Sequence, residues 1–400
     1  MKQRLGFSSL PIVALFLALV PTAMAGSRWY VDGMNGSDKN NCKSPQTACK
    51  SIGHTISLAS SGDSIRVAPA TYRENLTVTF SLNLIGSGAN TTIVDGGGIG
   101  TVVIISSAAA NVALSRVTIR NGLAPSGGGI NNSGTLVLNN NKISRNTANQ
   151  YFAGQGGGIY NNGTLTINKS TISGNTAAAS SSGIAGQGAG INNAGTLVIN
   201  KSTISGNTAT GGYDGGAGGG MFNYFGTVTI NDSTISGNSA TDGTSRAYGG
   251  GIFTVGGRLT ISNSTIGANT AYYGGGICQD PHGGTAALQD SILANSFSGG
   301  NCSGTVTSNG YNLSSDSTCN FNSTGDLNNT DPKLGKLGNY GGPTQTIPLL
   351  SGGPAIDAGN PNGCSDGNGH LLKTDQRGYP RPDKEDTGGC DMGAYERQKD

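Results

Sequence analysis

Charged side chains make up only 12% of this 400-residue sequence, and they nearly cancel to a formal net charge of +2. That balance removes the usual electrostatic reason to expect nucleic acid or an anionic membrane as partner. Aromatic residues are also few, at 6%, while glycine fills 69 positions, a composition that suits collagen or a disordered linker. No Gly-x-y period exists, which excludes collagen. Beyond the first 25 residues no stretch reaches 18 uninterrupted apolar residues, so no retained transmembrane span is expected. The C-x-x-C spacing is missing and the three histidines are scattered at His54, His282 and His370, which argues against zinc. No metal or other cofactor is expected.

Residues 1–25 are patterned: Lys2 and Arg4, an apolar run over 10–20, then Ala23, Met24 and Ala25. This is the pattern of a secretory signal peptide cleaved near Ala25, so the chain is expected to be exported and soluble. Seven cysteines entering an oxidising compartment are expected to form disulfides. Close spacing suggests Cys42 with Cys49, Cys302 with Cys319 and Cys364 with Cys390, leaving Cys278 unpaired.

The organising feature is a repeat. The unit GGGIYNNGTLTINKSTISGNTA begins at Gly156, with close copies from Gly127 and Gly188 and looser ones from Gly218 and Gly249. Its apolar marker falls at Ile130, Ile159, Ile191, Met221, Ile252 and Ile277, a step of about 30 residues that signals a solenoid. Each unit holds three short segments in which β-branched residues alternate with Thr, Ser or Asn, the period-two pattern of strands with one buried face. The fold class expected is all-β: a right-handed parallel β-helix with three strands per turn.

Such stacking makes columns of like residues. Ile143, Ile172, Ile204, Ile235, Ile266 and Ile292 should form an interior stack. Asn146, Asn175, Asn207, Asn238, Asn269 and Asn295 should form a ladder at a bend, since Asn tolerates left-handed backbone and stacked amides hydrogen-bond along the axis. A second ladder is expected at Asn132, Asn161, Asn193 and Asn223. The domain division expected is 1–25 signal peptide, 26–62 N-terminal cap, 63–300 β-helix and 301–400 last turn plus a loop-rich module. A short helix within 49–60 should close the open end, covering it with Ile52, Ile56 and Leu58.

Signals of chemistry are sparse. Between 127 and 276 the acidic residues are Asp214, Asp232 and Asp242, with no Glu or His, so no repeat face is expected to carry three clustered charges. Asp232 falls in register with Asn140, Lys169, Lys201 and Asn263, which suggests an exposed ion pair with Lys201. His370 with Asp375, Arg377, Asp383, Glu385 and Asp386 forms the densest polar region, read as fold-holding or as a metal or sugar site. Asp63, Arg66, Arg73, Glu74 and Asp95 are candidates to meet on one face of the first turns. Tyr160, Phe222 and Phe253 follow the apolar marker and should point outward as ligand contacts, with Tyr213, Tyr224, Tyr248, Tyr272 and Tyr273 in or near variable loops; packing under those loops explains them equally.

Several motifs are familiar. WYVDGMNGSDKNNC and GDSIRVAPATYRENLTV resemble the opening of many bacterial secreted β-helix proteins, and the GGGI and STISGNTA turns resemble the repeats of polymorphic outer membrane proteins. DPKLGKLGNYGGPTQTIPLLSGGPAIDAG, TDQRGYPRP and CDMGAYE closely resemble the choice-of-anchor Q domain. The resemblance implies a secreted or surface-displayed bacterial protein without an established activity, and places Asp375, Gln376, Arg377 and Gly378 in a shared motif. Relatives often carry a sorting signal after this module; none follows Glu396 here. The expected function is a non-catalytic, monomeric scaffold for adhesion or for binding a polysaccharide or matrix protein. The alternative is a carbohydrate-active enzyme, a polysaccharide lyase or glycoside hydrolase.

Overall fold

The computed structural model describes residues 26–150, 153–179, 185–211, 215–241, 246–281, 283–384 and 389–399. The signal-peptide pattern with Ala25, and Tyr213, Asp214, Asp242, His282, Glu385 and Asp386, lie outside these residues.

Alternation turns each short apolar segment into a strand, and each strand pairs in parallel with its counterpart one turn on. One complete turn runs through Ile159–Asn161, Thr164–Asn168, Thr171–Ser173 and Thr176–Ala179. Stacked turns make three long parallel sheets and a short fourth. Sheet 1 has eleven strands, from Arg28–Val31 to Thr307–Ser308; sheet 2 has ten, from Ala70–Arg73 to Leu313–Ser314; sheet 3 has nine, from Leu76–Val78 to Cys302–Ser303. Sheet 4, five strands between Leu123–Ala124 and Ser239–Thr241, comes from the Thr-Ala segments after the Asn column. The result is a right-handed parallel β-helix.

The interior is a stack of aliphatic columns. Ile130, Ile159 and Ile191 are direct partners in sheet 3, and Leu136, Leu165 and Leu197 in sheet 1. Ile119, Ile143, Ile172, Ile204, Ile235 and Ile266 form the sheet 2 column, and its next member is Leu293, not Ile292. Ile292 pairs with Thr265 instead and packs against Leu349 and Met392 of the tail. Ser264 and Ser291 keep the register here, so aligning isoleucine on isoleucine slips it by one residue. The same slip puts Asn295 beside Ala268, one position ahead of the column.

At the bend after sheet 2 the Nδ2 of Asn146 donates to Asn175 Oδ1 at 3.1 Å, Asn175 to Asn207 at 2.9 Å, Asn207 to Asn238 at 2.9 Å and Asn238 to Asn269 at 3.0 Å. Each of these amides also serves the backbone: Asn175 Nδ2 reaches the Ile143 carbonyl, and its Oδ1 accepts from the Asn146 N–H. A second ladder links Asn132, Asn161, Asn193 and Asn223 at 2.7–2.8 Å and ends on Thr254. In the Gly triplet, Gly156 has φ +64°, and a Cβ there would collide with the Ile159 backbone.

Helix α1, Ile52–Leu58, closes the N-terminal end, with Ser51 as N-cap and the Glu74 carboxylate accepting from the N–H groups of Ile52 and Gly53. Ile52, Thr55 and Ile56 are buried, whereas Leu58 is exposed and not part of the seal. Three disulfides join Cys42 to Cys49, Cys302 to Cys319 and Cys364 to Cys390, and Cys278 is a buried thiol.

Ile204→Ala should destabilise the solenoid by about 2–5 kcal/mol by opening a cavity in the column. Asn207→Ala should cost about 1–3 kcal/mol by leaving buried backbone groups unpaired. Urea unfolding of each variant checks both values; unchanged midpoints would mean the columns contribute nothing.

Candidate functional site

The bend between sheets 1 and 2 is left-handed in every repeat. Arg116, Asn140, Lys169, Lys201, Asp232, Asn263 and Asp290 all have φ between 44° and 57°. Inter-turn bonds such as Lys169 N–H to the Asn200 carbonyl and Lys201 N–H to the Asn231 carbonyl stack them in one column. Their side chains therefore project along one ridge, beside the outer face of sheet 2.

Over the C-terminal half of this flank the tail folds back and clasps the ridge once per turn. Lys201 Nζ donates to the Thr374 carbonyl at 3.0 Å, Asp232 accepts from Arg381 at 2.9 Å, Asn263 donates to the Ser365 carbonyl at 2.6 Å, and Asp290 accepts from the Asn360 N–H at 2.8 Å. The outward threonines of sheet 2 are engaged too. Thr203 donates to the Gln345 carbonyl, Thr234 to Gln376 Oε1, and Thr265 accepts from the Ala394 N–H.

The heart of the clasp is ionic and dry. Arg381 bridges Asp232 at 2.9 Å and Glu396 at 2.7 Å, with none of its side chain exposed. Burial opposes its charge, but Glu396, Asp232 and Asp375 more than offset this and raise its pKa. Arg377 pairs with Asp375 at 2.7 Å and lies over the Tyr395 ring at 3.5 Å. Burial pushes Asp290 up to about 6 and, aided by Glu396, Asp391 up to about 7. Asp232 is thus a buried partner of the tail rather than one half of an exposed pair with Lys201.

Upstream, no described residue of the tail covers the flank, and the flank is basic. Between 75 and 213 the sequence holds one acidic residue, Asp95, against Arg116, Arg120, Lys142, Arg145, Lys169 and Lys201. Strand register puts Arg73, Asp95, Arg120, Ser144 and Ser173 in one outward column of sheet 2 and Thr118, Lys142 and Thr171 in the other. Asp95 is committed: it accepts Arg120 Nε at 2.7 Å, Asn121 Nδ2 at 2.9 Å and the Gly97 N–H at 3.0 Å. Burial resists its charge, yet the Gly97, Arg120 and Asn121 donors outweigh that and hold its pKa low. Two clefts open here. One, of about 340 Å³, is lined by Arg120, Lys142 and Arg145. The other, of about 550 Å³, is lined by Arg73, Asp95 and Arg145, so Arg145 forms a wall of both.

The expectation that no repeat face carries three clustered charges is therefore wrong. Offsets from the sheet 2 isoleucines Ile119, Ile143, Ile172 and Ile204 carried the signal: Arg116, Lys169 and Lys201 each lie three residues before one, Arg120 one after, Lys142 one before and Arg145 two after. The terminal candidates disperse instead. Asp63 accepts from Trp29 Nε1 and the Ser27 and Ser60 N–H groups, Glu74 caps α1, and Arg66 lies on sheet 1, while Arg73 and Asp95 share the flank. Exposed His370 pairs with Asp366 at 3.2 Å, apart from the buried Asp375 and Arg377 pair.

Phe222 and Phe253 are buried, in contact with Ala185, Ala217 and Cys278, because the outer face of sheet 3 is itself covered; Tyr160 is half-buried. Among the described residues the exposed rings are Tyr224, Phe225, Tyr272 and Tyr273, together with Phe297, Tyr340 and Tyr379 towards the C-terminal end. Among the described residues the one His/Cys/Asp/Glu group close enough to share a metal is Cys42, Cys49 and His54, and its two sulfurs are joined in a disulfide.

No protein-family model matches the sequence. No curated protein matches it either. Among solved structures, the chain is similar to pectate lyase Pel9A, with a TM-score of 0.56 and 13% identity over 93% of this chain and 96% of that one. It also aligns with pectin methylesterase PemA from Erwinia chrysanthemi, at a TM-score of 0.33 and 13% identity over 80% and 84% of the two chains. A pectin methylesterase in complex with hexasaccharide IV aligns at a TM-score of 0.32 and 13% identity over 64% and 80%. The first likeness establishes the path of the backbone; at these identities none carries chemistry across.

Arg381→Ala should leave Asp232 and Glu396 buried without their partner and cost about 3–5 kcal/mol. Hydrogen exchange should show protection lost in 344–396 before the solenoid; uniform loss throughout would refute a separately held clasp. A pH dependence follows as well. Asp290 and Asp391 have folded pKa values raised above the ordinary carboxylate range, so their contribution is complete below about 4 and is lost as pH rises through about 6 and about 7. Thermal unfolding of the tail should therefore occur at higher temperature at pH 5 than at pH 8.

Proposed function

We propose that this chain is an exported β-helix scaffold that binds a glycan or extracellular matrix along its open flank without altering it chemically. The observation that carries this reading is the division of sheet 2: the tail clasps one half, and the other half is left bare, with adjoining clefts along successive turns. A long, rigid, repetitive surface suits a long, repetitive ligand. Export is supported by the signal-peptide pattern of 1–25 and by the three disulfides. The resemblance to choice-of-anchor Q and polymorphic-outer-membrane-protein repeats points the same way, to a cell-surface setting. The exposed Tyr224, Phe225, Tyr272 and Tyr273 offer ring faces for additional contacts.

A second reading, a polysaccharide lyase or hydrolase, is favoured by one feature. Lys142 and Arg145 have no acceptor among the described residues at the clefts, where a basic group could take a proton from a bound sugar. Against it, hydrolysis needs two carboxyl groups and a calcium-assisted lyase needs several, whereas among the described residues the one acidic side chain lining these two clefts is Asp95, which already has three donors.

The deciding measurement is a glycan array probed with the full chain, followed by product release assays on every glycan retained. Retention without turnover is expected. Robust release of unsaturated or reducing-end products would replace the scaffold reading with the enzyme reading, and no retention by any glycan would remove both.

A further inference from the structure

We infer that the open flank selects a polyanionic polysaccharide, one bearing carboxylate or sulfate groups along its length. This rests on the glycan-binding reading above and narrows it to a ligand class. All the basic residues between 75 and 213 fall on sheet 2 or on the two bends that border it: Arg116, Lys169 and Lys201 on the ridge, Arg120 and Lys142 in strands, and Arg145 in the bend beyond. Over the same turns the outward positions of sheets 1 and 3 are neutral, as at Asn83, Ala113, Val137 and Thr166 or Ile104, Asn131 and Tyr160. Between 75 and 213 the positive charge is thus gathered onto one flank.

These charges are available. Arg73, Arg116, Lys142, Arg145 and Lys169 are exposed, and none has an acceptor among the described residues. Lys201, by contrast, is taken by Thr374 where the tail begins its clasp, and Asp95 is neutralised by Arg120. Like charges held together without acidic side chains to pair with them raise the local potential and draw in an anionic polymer. Successive turns are about 4.8 Å apart, close to the advance per sugar along a linear polysaccharide, so one ligand lying along the axis meets Arg73, Arg120, Lys142 and Lys169 in succession. A nucleic acid is the less suitable polyanion. Among the described residues the exposed large aromatics lie elsewhere, and none puts a ring on the flank where bases could stack.

The test is surface plasmon resonance of the full chain against polygalacturonate, dextran sulfate, neutral dextran and single-stranded DNA at low and high salt. Expected are binding to one or both anionic polysaccharides, little to dextran, and weakening with salt. Polygalacturonate alone would identify the anion as carboxylate, dextran sulfate alone as sulfate; either outcome supports the inference. The double variant Lys142→Glu with Arg145→Glu should weaken binding by at least about tenfold. Arg258→Glu, at an exposed site on sheet 1, should change it by less than about twofold. Matching circular dichroism and melting curves would show that the variants fold.

Equal effects of the two variants would overturn the inference, as would DNA binding as tight as that of the polysaccharides. Retention of neutral glycans with no anionic preference would overturn it too, while leaving the scaffold reading standing. Absence of binding to any glycan, here and on the array, would end both.

Discussion

Everything in this structure depends on the hydrogen bond that one turn makes to the next. The Gly128 N–H donates to the Gly156 carbonyl, Gly156 to Gln187, Gly188 to Ala217 and Gly218 to Tyr248. Because the bonds run along the axis, each residue sits directly over its counterpart about 4.8 Å away. That distance cannot accommodate unlike neighbours in a closed interior. Aliphatic side chains must stack on aliphatic ones, and a buried amide must find another amide or a backbone group. The Asn146 to Asn269 ladder meets this demand by bonding both its neighbour and the main chain, which makes it a structural counterpart of the isoleucine column.

The same rule governs the outside, where it has a functional consequence. A residue type repeated at one offset becomes a row on one flank, whatever its separation in sequence. The left-handed bend before sheet 2 is such a row, and its members change character along the axis: Arg116, Asn140 and Lys169 first, then Lys201, Asp232, Asn263 and Asp290. The second group meets the tail through one bond per turn and is lost from the surface. The first group meets no part of the tail among the described residues. The boundary between the open flank and the clasp therefore lies near Lys201, where an otherwise equivalent lysine is held by Thr374.

Much of the fold was legible because the repeat states it several times. The Gly triplet, the Thr-Leu-x-Ile segment and the Ser-Thr-Ile segment correspond to sheets 3, 1 and 2, and the register followed from Ile130 to Ile277. Legibility failed where the repeat frays. At Ile292 the side-chain identity matched but the backbone had moved on by one residue. Asp232 was placed in the right column and given the wrong partner, since its partner, Arg381, lies 149 residues away along a tail with no repeat to locate it. Phe222 and Phe253 alternate outward as expected, but what covers an outward face cannot be read from alternation.

The sequence by itself determined the solenoid, its columns and its cysteine pairs, because these rest on local periodicity and on contacts one period apart. The tertiary structure decided the site. It folded the tail over half of one flank, buried Asp232 and Asp290 beneath it and Asp391 within it, and left Arg73, Lys142 and Arg145 facing solvent on the same side. Those outcomes depend on long-range docking of a non-repetitive segment, where the relevant partners share neither spacing nor pattern in the chain.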